Sequence, residues 1–130
     1  MGAPEDILNE KKILIVDDDA RNIFALSSYL EATGMRTYTA NNGFEAIAFL
    51  KGSQAADMVL MDMMMPEMDG FEAIKSIRED KSIGDIPIIA VTARAMKGDQ
   101  EKCLTAGANE YVSKPVNLQE LLEKMSGLLS

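Results

Sequence analysis

Three acids, Asp17, Asp18 and Asp19, follow directly on the apolar run KILIV, and a fourth, Asp62, follows directly on MVLM. Thr92 follows IIAV, and Lys114 stands two residues after EYV. If these run ends converge, the carboxylates repel one another by about 4 kcal/mol per pair at about 4 Å for an effective dielectric near 20, so the group needs a counter-charge. Lys114 supplies one positive charge and a hard divalent cation the rest. The chain holds no histidine and a single cysteine, Cys103, and an oxygen-only donor set favours Mg²⁺, with Mn²⁺ as a substitute, over zinc. Mg²⁺ keeps several waters and takes one or two carboxylates, which makes Asp18 and Asp62 candidates for direct ligands and Asp17 for a ligand acting through water. Taken singly these residues are bland: Asp19 reads best as a helix cap, Asp62 as a turn residue, Thr92 as a loop hydroxyl and Lys114 as a surface lysine. Their recurrence at successive run ends is what points to a site.

The elements that must position them are legible by period. Lys12 to Val16, Met58 to Met61, Ile86 to Val91 and Glu110 to Val112 are short, rich in β-branched and aliphatic residues, and apolar on both faces, as parallel strands covered on each side must be. Met35 to Ala40 alternates with polar positions and reads as an edge strand. Between the runs lie helical patterns. ARNIFALSSYLEATG places Ile23, Leu26 and Leu30 on one stripe, leaves Phe24 off it and partly exposed, and stops at Gly34. GFEAIAFLKG closes on Gly52. DGFEAIKSIRED starts with Asp69 as N-cap and Glu72 three places on, and buries Phe71, Ile74 and Ile77. RAMKGDQEKCLTAGA is diluted by Gly98 and polar residues and reads as a mobile helix with Cys103 half-buried. NLQELLEKMSGLLS buries Leu118, Leu121, Leu122 and Met125 behind Asn117 as N-cap.

Five strands alternating with five helices predict a doubly wound α/β domain, in which the reactive crevice lies outside the carboxyl ends of the strands. Residues 1–10 are expected to be a flexible leader or the remnant of a tether, and residues 11–130 the domain. A 130-residue chain buries a sufficient core without disulfides. No run approaches a membrane span, and MGAPEDILNE is too polar for a secretory signal, so the expected location is cytoplasmic. A net charge of −8 argues against nucleic acid as a direct partner and for partner surfaces that are basic.

ILIVDDDARN, VLMDMMMPEMDGFE, IIAVTA and GANEYVSKP, in that order and at that spacing, closely resemble the receiver domain of two-component response regulators, from about Lys12 to the end of the chain. The resemblance implies a flavodoxin-like sandwich with a five-stranded parallel sheet of order 2-1-3-4-5 and helices on both faces. It implies that Asp62 accepts a phosphoryl group from a phosphohistidine on a histidine kinase or phosphotransfer protein, with Asp17 and Asp18 holding Mg²⁺ and the backbone carbonyl of Met64 completing the metal site. It further implies that Thr92 turns to the new phosphoryl oxygen, that Lys114 pairs with another, and that the rotamer of Tyr111 follows Thr92. Met64 and Arg94, two past the acceptor and two past the threonine, would govern how water reaches the phosphoryl group, with Met63 and Met65 as core filler. Pro66 and Gly70 would shape the loop and open the next helix, and Lys114-Pro115 is a step that is cis in this family.

Such a domain catalyses its own phosphorylation from the donor and a slow self-dephosphorylation, but serves mainly as a signalling module. Its output face would be the fourth predicted helix, the fifth strand and the fifth predicted helix, acting on a protein target as a monomer or weak dimer. With nothing predicted after the last helix, the domain reads as a stand-alone regulator or as the receiver of a hybrid sensor kinase. LIVDDDA also resembles the start of haloacid dehalogenase-type phosphohydrolases, where Asp17 would be the nucleophile and Asp19 the acid/base. A pseudo-receiver that binds without ever carrying phosphate is the third reading.

Overall fold

The runs predicted as strands pair into a single parallel sheet. In the computed structural model, which describes residues 4–52, 56–65, 68–93 and 97–129, the strands are β1 (Lys12–Val16), β2 (Arg36–Ala40), β3 (Met58–Asp62), β4 (Ile88–Thr92) and β5 (Glu110–Ser113). They are ordered β2-β1-β3-β4-β5, the doubly wound arrangement expected of this alternation. The helices are α1 (Pro4–Leu8), α2 (Ala20–Ala32), α3 (Gly43–Lys51), α4 (Gly70–Glu79), α5 (Lys97–Ala106) and α6 (Leu118–Leu129).

Strand alternation sorts the core into two layers. Ile13, Ile15, Leu60 and Val91 pack with Leu26 and Leu30 of α2 and Leu121, Leu122 and Met125 of α6. Leu14, Val16, Met61 and Ala90 face the other way, toward Ala46 of α3, Ile74 and Ile77 of α4 and Cys103 of α5. Because both faces are covered, every residue of β3 and β4 is buried, Asp62 and Thr92 included. Each large aliphatic side chain removed from water this way is worth about 1.5–3 kcal/mol, which holds the strand ends rigid.

The helix ends follow the capping chemistry. Asp19, Asn42 and Asp69 cap α2, α3 and α4, their side chains accepting from the backbone N–H of Arg21, Glu45 and Glu72, and Asn117 accepts from Glu120 ahead of α6. Gly34, with φ of +96°, ends α2 in the left-handed conformation that favours glycine.

Within the leader, Pro4–Leu8 is helical, and Leu8 is completely buried against α6, in the layer that holds Met125. A single leucine in a polar stretch finds its partners only in the tertiary fold. Three expectations need correction. β3 and β4 each run one residue further than their apolar runs, taking in Asp62 and Thr92, because the backbone ladder continues past the last aliphatic residue. β4 starts at Ile88, two residues later than Ile86. Cys103 is fully rather than half buried, while Phe71 and Leu118 are only half buried. Phe24, off the apolar stripe, is 73% exposed.

Candidate functional site

The sheet register sets the heights of the functional residues. Val16 pairs with Met61, so Asp17 stands level with Asp62 on the neighbouring strand. Asp62 pairs with Val91, and Thr92 with Ser113, which steps Thr92 and then Lys114 one residue higher each. Backbone bonds extend the ladder beyond the strands, from Asp17 N–H to Ala40 O at 3.1 Å, Met63 N–H to Val91 O at 3.0 Å and Lys114 N–H to Thr92 O at 2.8 Å. The first turn of α4 closes in beneath this crevice at Gly70, where a Cβ would meet Asp62 O at 2.7 Å and Met63 Sδ at 2.6 Å, so only glycine fits.

Asp17, Asp18 and Asp62 come together, each offering a carboxylate oxygen within 4.8 Å of the others; Asp18 is exposed and the other two are each only 3% exposed. Lys114 Nζ lies 3.5 Å from Asp62 Oδ1 and 3.8 Å from Asp17 Oδ2. Asp17 Oδ1 accepts from the Asp19 backbone N–H at 2.8 Å, and Asp62 Oδ1 from the Met64 N–H at 3.1 Å. Burial is the largest influence on Asp17 and pushes its carboxyl above the ordinary range; the charge of Asp62 adds to this, while the Asp19 N–H, Lys114 and the Asn22 side chain oppose it. The deficit of positive charge is what a hard divalent cation fills, and three converging carboxylates without nitrogen or sulfur donors fit Mg²⁺.

Asp19 stands apart from this group. It caps α2 and its second oxygen lies 3.4 Å from Arg21 Nη2, a contact that holds its carboxyl below the usual range. An acid/base role for Asp19 beside a nucleophilic Asp17 is therefore not what its partners serve. Beside Asp17 a cavity of about 270 Å³ opens between α2 and the β5–α6 loop, lined by Asn22, Leu26, Val91, Pro115 and Val116.

Met63 and Met65 are buried filler, while Met64 is half exposed at the rim. Thr92 is buried at the end of β4, and the Lys114-Pro115 bond is cis. Tyr111 pairs in register with Ala90 and is half buried, on the same sheet face as Thr92. Its hydroxyl donates to Gln100 Oε1 of α5 at 2.9 Å, and Lys124 Nζ of α6 sits 4.9 Å from its ring centre. No motif marks Gln100 or Lys124 in the sequence; only the packing of α5 and α6 against β5 brings them there. Arg94 and Pro66 lie outside the described residues.

Residues 13–126 match the family model described as the response regulator receiver domain. The polar-differentiation response regulator DivK of Brucella anthropi is 36% identical over 119 residues, spanning 92% of this chain and 96% of that protein. The receiver domain of a sensor histidine kinase from Pseudomonas aeruginosa, solved with magnesium coordinated in its active-site cleft, is 36% identical with a TM-score of 0.79, covering 91% of this chain and 98% of that one. The co-crystal of the Saccharomyces cerevisiae histidine phosphotransfer protein Ypd1 with the receiver domain of its downstream response regulator Ssk1 matches at 32% identity and a TM-score of 0.82, over 92% of this chain and 88% of that one. Among the described residues no helix is long and apolar enough to cross a membrane.

Proposed function

Since the chain belongs to the response regulator receiver domain family and is a module of phosphorelay signalling, we propose that Asp62 accepts a phosphoryl group from the phosphohistidine of a histidine kinase or histidine phosphotransfer protein. The observation that carries this is the buried Asp62 carboxylate, with Asp17 and Asp18 within 4.8 Å and Lys114 Nζ at 3.5 Å. A carboxylate oxygen of Asp62 attacks phosphorus as the P–N bond to the donor imidazole breaks; the imidazole nitrogen keeps the electron pair and takes up a proton. The product is a mixed carboxylic–phosphoric anhydride.

Asp17, Asp18, Asp62 and the Met64 carbonyl would hold the cation. Mg²⁺, or Mn²⁺ in its place, supplies charge neutralisation at the phosphoryl oxygens when bound. Lys114 pairs with one of those oxygens and the Thr92 hydroxyl with another, which draws Thr92 inward and frees space for the Tyr111 ring. The face of α5, β5 and α6, which are the fourth predicted helix, fifth strand and fifth predicted helix with the leader helix now counted, then presents the changed surface to a protein target. The half-exposed Met64 side chain screens the anhydride from water. Magnesium in the cleft of the Pseudomonas receiver and the phosphotransfer partner of the yeast one support this reading.

The test is phosphoryl transfer from a labelled phosphotransfer protein with Mg²⁺ present, followed by reductive trapping and peptide mapping. Label on Asp62, lost in Asp62→Asn, is the expected result; label on Asp17 would transfer the assignment to the phosphohydrolase mechanism, and no label on any acid would favour a pseudo-receiver.

A further inference from the structure

Tyr111 is held at two points, and neither belongs to the phosphoryl site. Its hydroxyl donates to the Gln100 side-chain carbonyl on α5 at 2.9 Å. Lys124 on α6 reaches it from the other side: its Nζ lies 4.9 Å from the ring centre, donates to the Tyr111 carbonyl at 2.7 Å, and is itself fixed by Glu110 at 3.5 Å. An ammonium at that distance is attracted by the ring face, so the ring is bound between two helices that β5 separates.

The position of the ring relative to Thr92 gives this grip a consequence. Strand alternation puts Ala90, Thr92, Tyr111 and Ser113 on the face covered by α5. Directly opposite Tyr111 is Ala90, fully buried and small, with Thr92 two residues further along the same face. Cross-strand diagonals of this kind lie within reach of an aromatic side chain, so a turn of the ring toward Thr92 that carries the hydroxyl away from Gln100 costs that hydrogen bond.

We propose that Gln100 is a positioning residue that latches Tyr111 in its resting place, so that the Gln100–Tyr111 hydrogen bond sets how readily the domain passes to its phosphorylated arrangement. The latch rests on the receiver reading above and adds to it a residue outside the phosphoryl-binding set. Breaking one neutral hydrogen bond of ordinary net strength changes a two-state ratio about fivefold. Where the latched state predominates, the apparent affinity for a ligand that selects the unlatched state rises by the same factor.

The probe is the fluoroberyllate anion, a tetrahedral phosphoryl mimic, titrated with saturating Mg²⁺ into the full chain and read by ¹⁹F NMR of the bound anion. Gln100→Ala, which improves helix propensity and so preserves α5, should lower the half-saturating concentration about fivefold. In a Tyr111→Phe background, which keeps the ring and removes the hydroxyl, the same substitution should change it by less than about 1.5-fold. Gln100→Glu, a stronger acceptor for the phenol, should raise it. An equal shift in both backgrounds, or none in the parent chain, overturns the latch. Failure of the parent chain to bind fluoroberyllate, or equal binding by Asp62→Asn, would instead overturn the receiver-site reading.

Discussion

Replacing Asp17 by Asn should stabilise the metal-free protein at neutral pH and destabilise it relative to the parent once Mg²⁺ is added. Asp17 is buried, and its carboxylate lies within 4.8 Å of an oxygen of Asp62 and 3.8 Å from Lys114 Nζ. At an effective dielectric near 20 the repulsion comes to about 3.5 kcal/mol and the attraction to about 4 kcal/mol, so the two nearly cancel. What remains is the cost of burying the charge, the largest cause of the raised Asp17 pKa. Asparagine keeps an oxygen for the Asp19 N–H, 2.8 Å away in the parent, and carries no charge, so the gain is about 1–2 kcal/mol. For 130 residues the unfolding entropy is roughly 0.27 kcal/mol/K, which makes this a rise in Tm of about 4–7 °C.

The sign against pH follows from the direction of the shift. A carboxyl whose folded pKa lies above its unfolded value of 3.8 contributes stability below that value and loses it as pH rises through the folded pKa. The variant's advantage should therefore vanish in acid below about pH 3.8 and be complete once the parent's Asp17 is ionised. Saturating Mg²⁺ at about 100 times its Kd adds about 2.7 kcal/mol to the parent and much less to the variant, inverting the order. Thermal melts of both proteins between about pH 3 and about pH 8, in chelator and in Mg²⁺, test each step. A variant that melts below the parent in chelator at neutral pH would refute the reasoning, because desolvation would then not be the dominant influence on Asp17.

Leu8→Ala should cost about 2–4 kcal/mol in urea titration, since Leu8 is fully buried where α1 meets α6; a cost under about 0.5 kcal/mol would mean the leader is not docked in solution. Arg78→Met removes hydrogen bonds to Gly107 O, Gly84 O, Ile86 O and Asn109 Oδ1, all between 2.6 and 2.9 Å, and should cost about 2–4 kcal/mol by the same measurement without changing Mg²⁺ affinity. Met64→Asn should speed the Mg²⁺-dependent decay of phospho-Asp62 several-fold in single-turnover assays, because it exchanges an apolar screen for a group that orients water; an unchanged decay removes Met64 from that role.

Legibility in the sequence divides along local and tertiary lines. β1, the caps Asp19 and Asp69, and the stop at Gly34 are set by residues within a few positions of one another, and pattern alone finds them. So does the exposure of Phe24, one step off an apolar stripe. The apolar runs place Asp62 and Thr92 just past their strands, because such a run ends at the first polar side chain, whereas pairing depends on the backbone and continues through both. Leu8 is not legible as core, since in so polar a stretch it acquires its partners from α6, more than a hundred residues away. Arg78 in SIRED looks like any helix-end cation, yet it joins α4 to the turn before β4 and to the α5–β5 turn, and burial there lowers its pKa. The convergence of Asp17, Asp62 and Lys114 was legible because all three stand at strand ends of a doubly wound sheet, and topology alone brings those ends together.

The same topology explains why chemistry that crowds negative charge can be built into so small a domain. Parallel register fixes Asp17 level with Asp62 on adjacent strands, with Thr92 and Lys114 stepping upward from them, and neighbouring strands are only about 4.8 Å apart. A slip of one residue in β3 would turn Asp62 to the opposite face and send Leu60 into the layer now filled by Met61. Every residue of β3 is buried, so such a slip would expose or overpack several large side chains at once, at several kcal/mol. The repulsion among the acids is of similar size pair by pair, but it acts at the open end of the sheet, where Lys114 and a cation offset it. Apolar packing along the strands thus holds Asp62 in place against its neighbours, while Thr92 and Tyr111 share the sheet face that α5 covers.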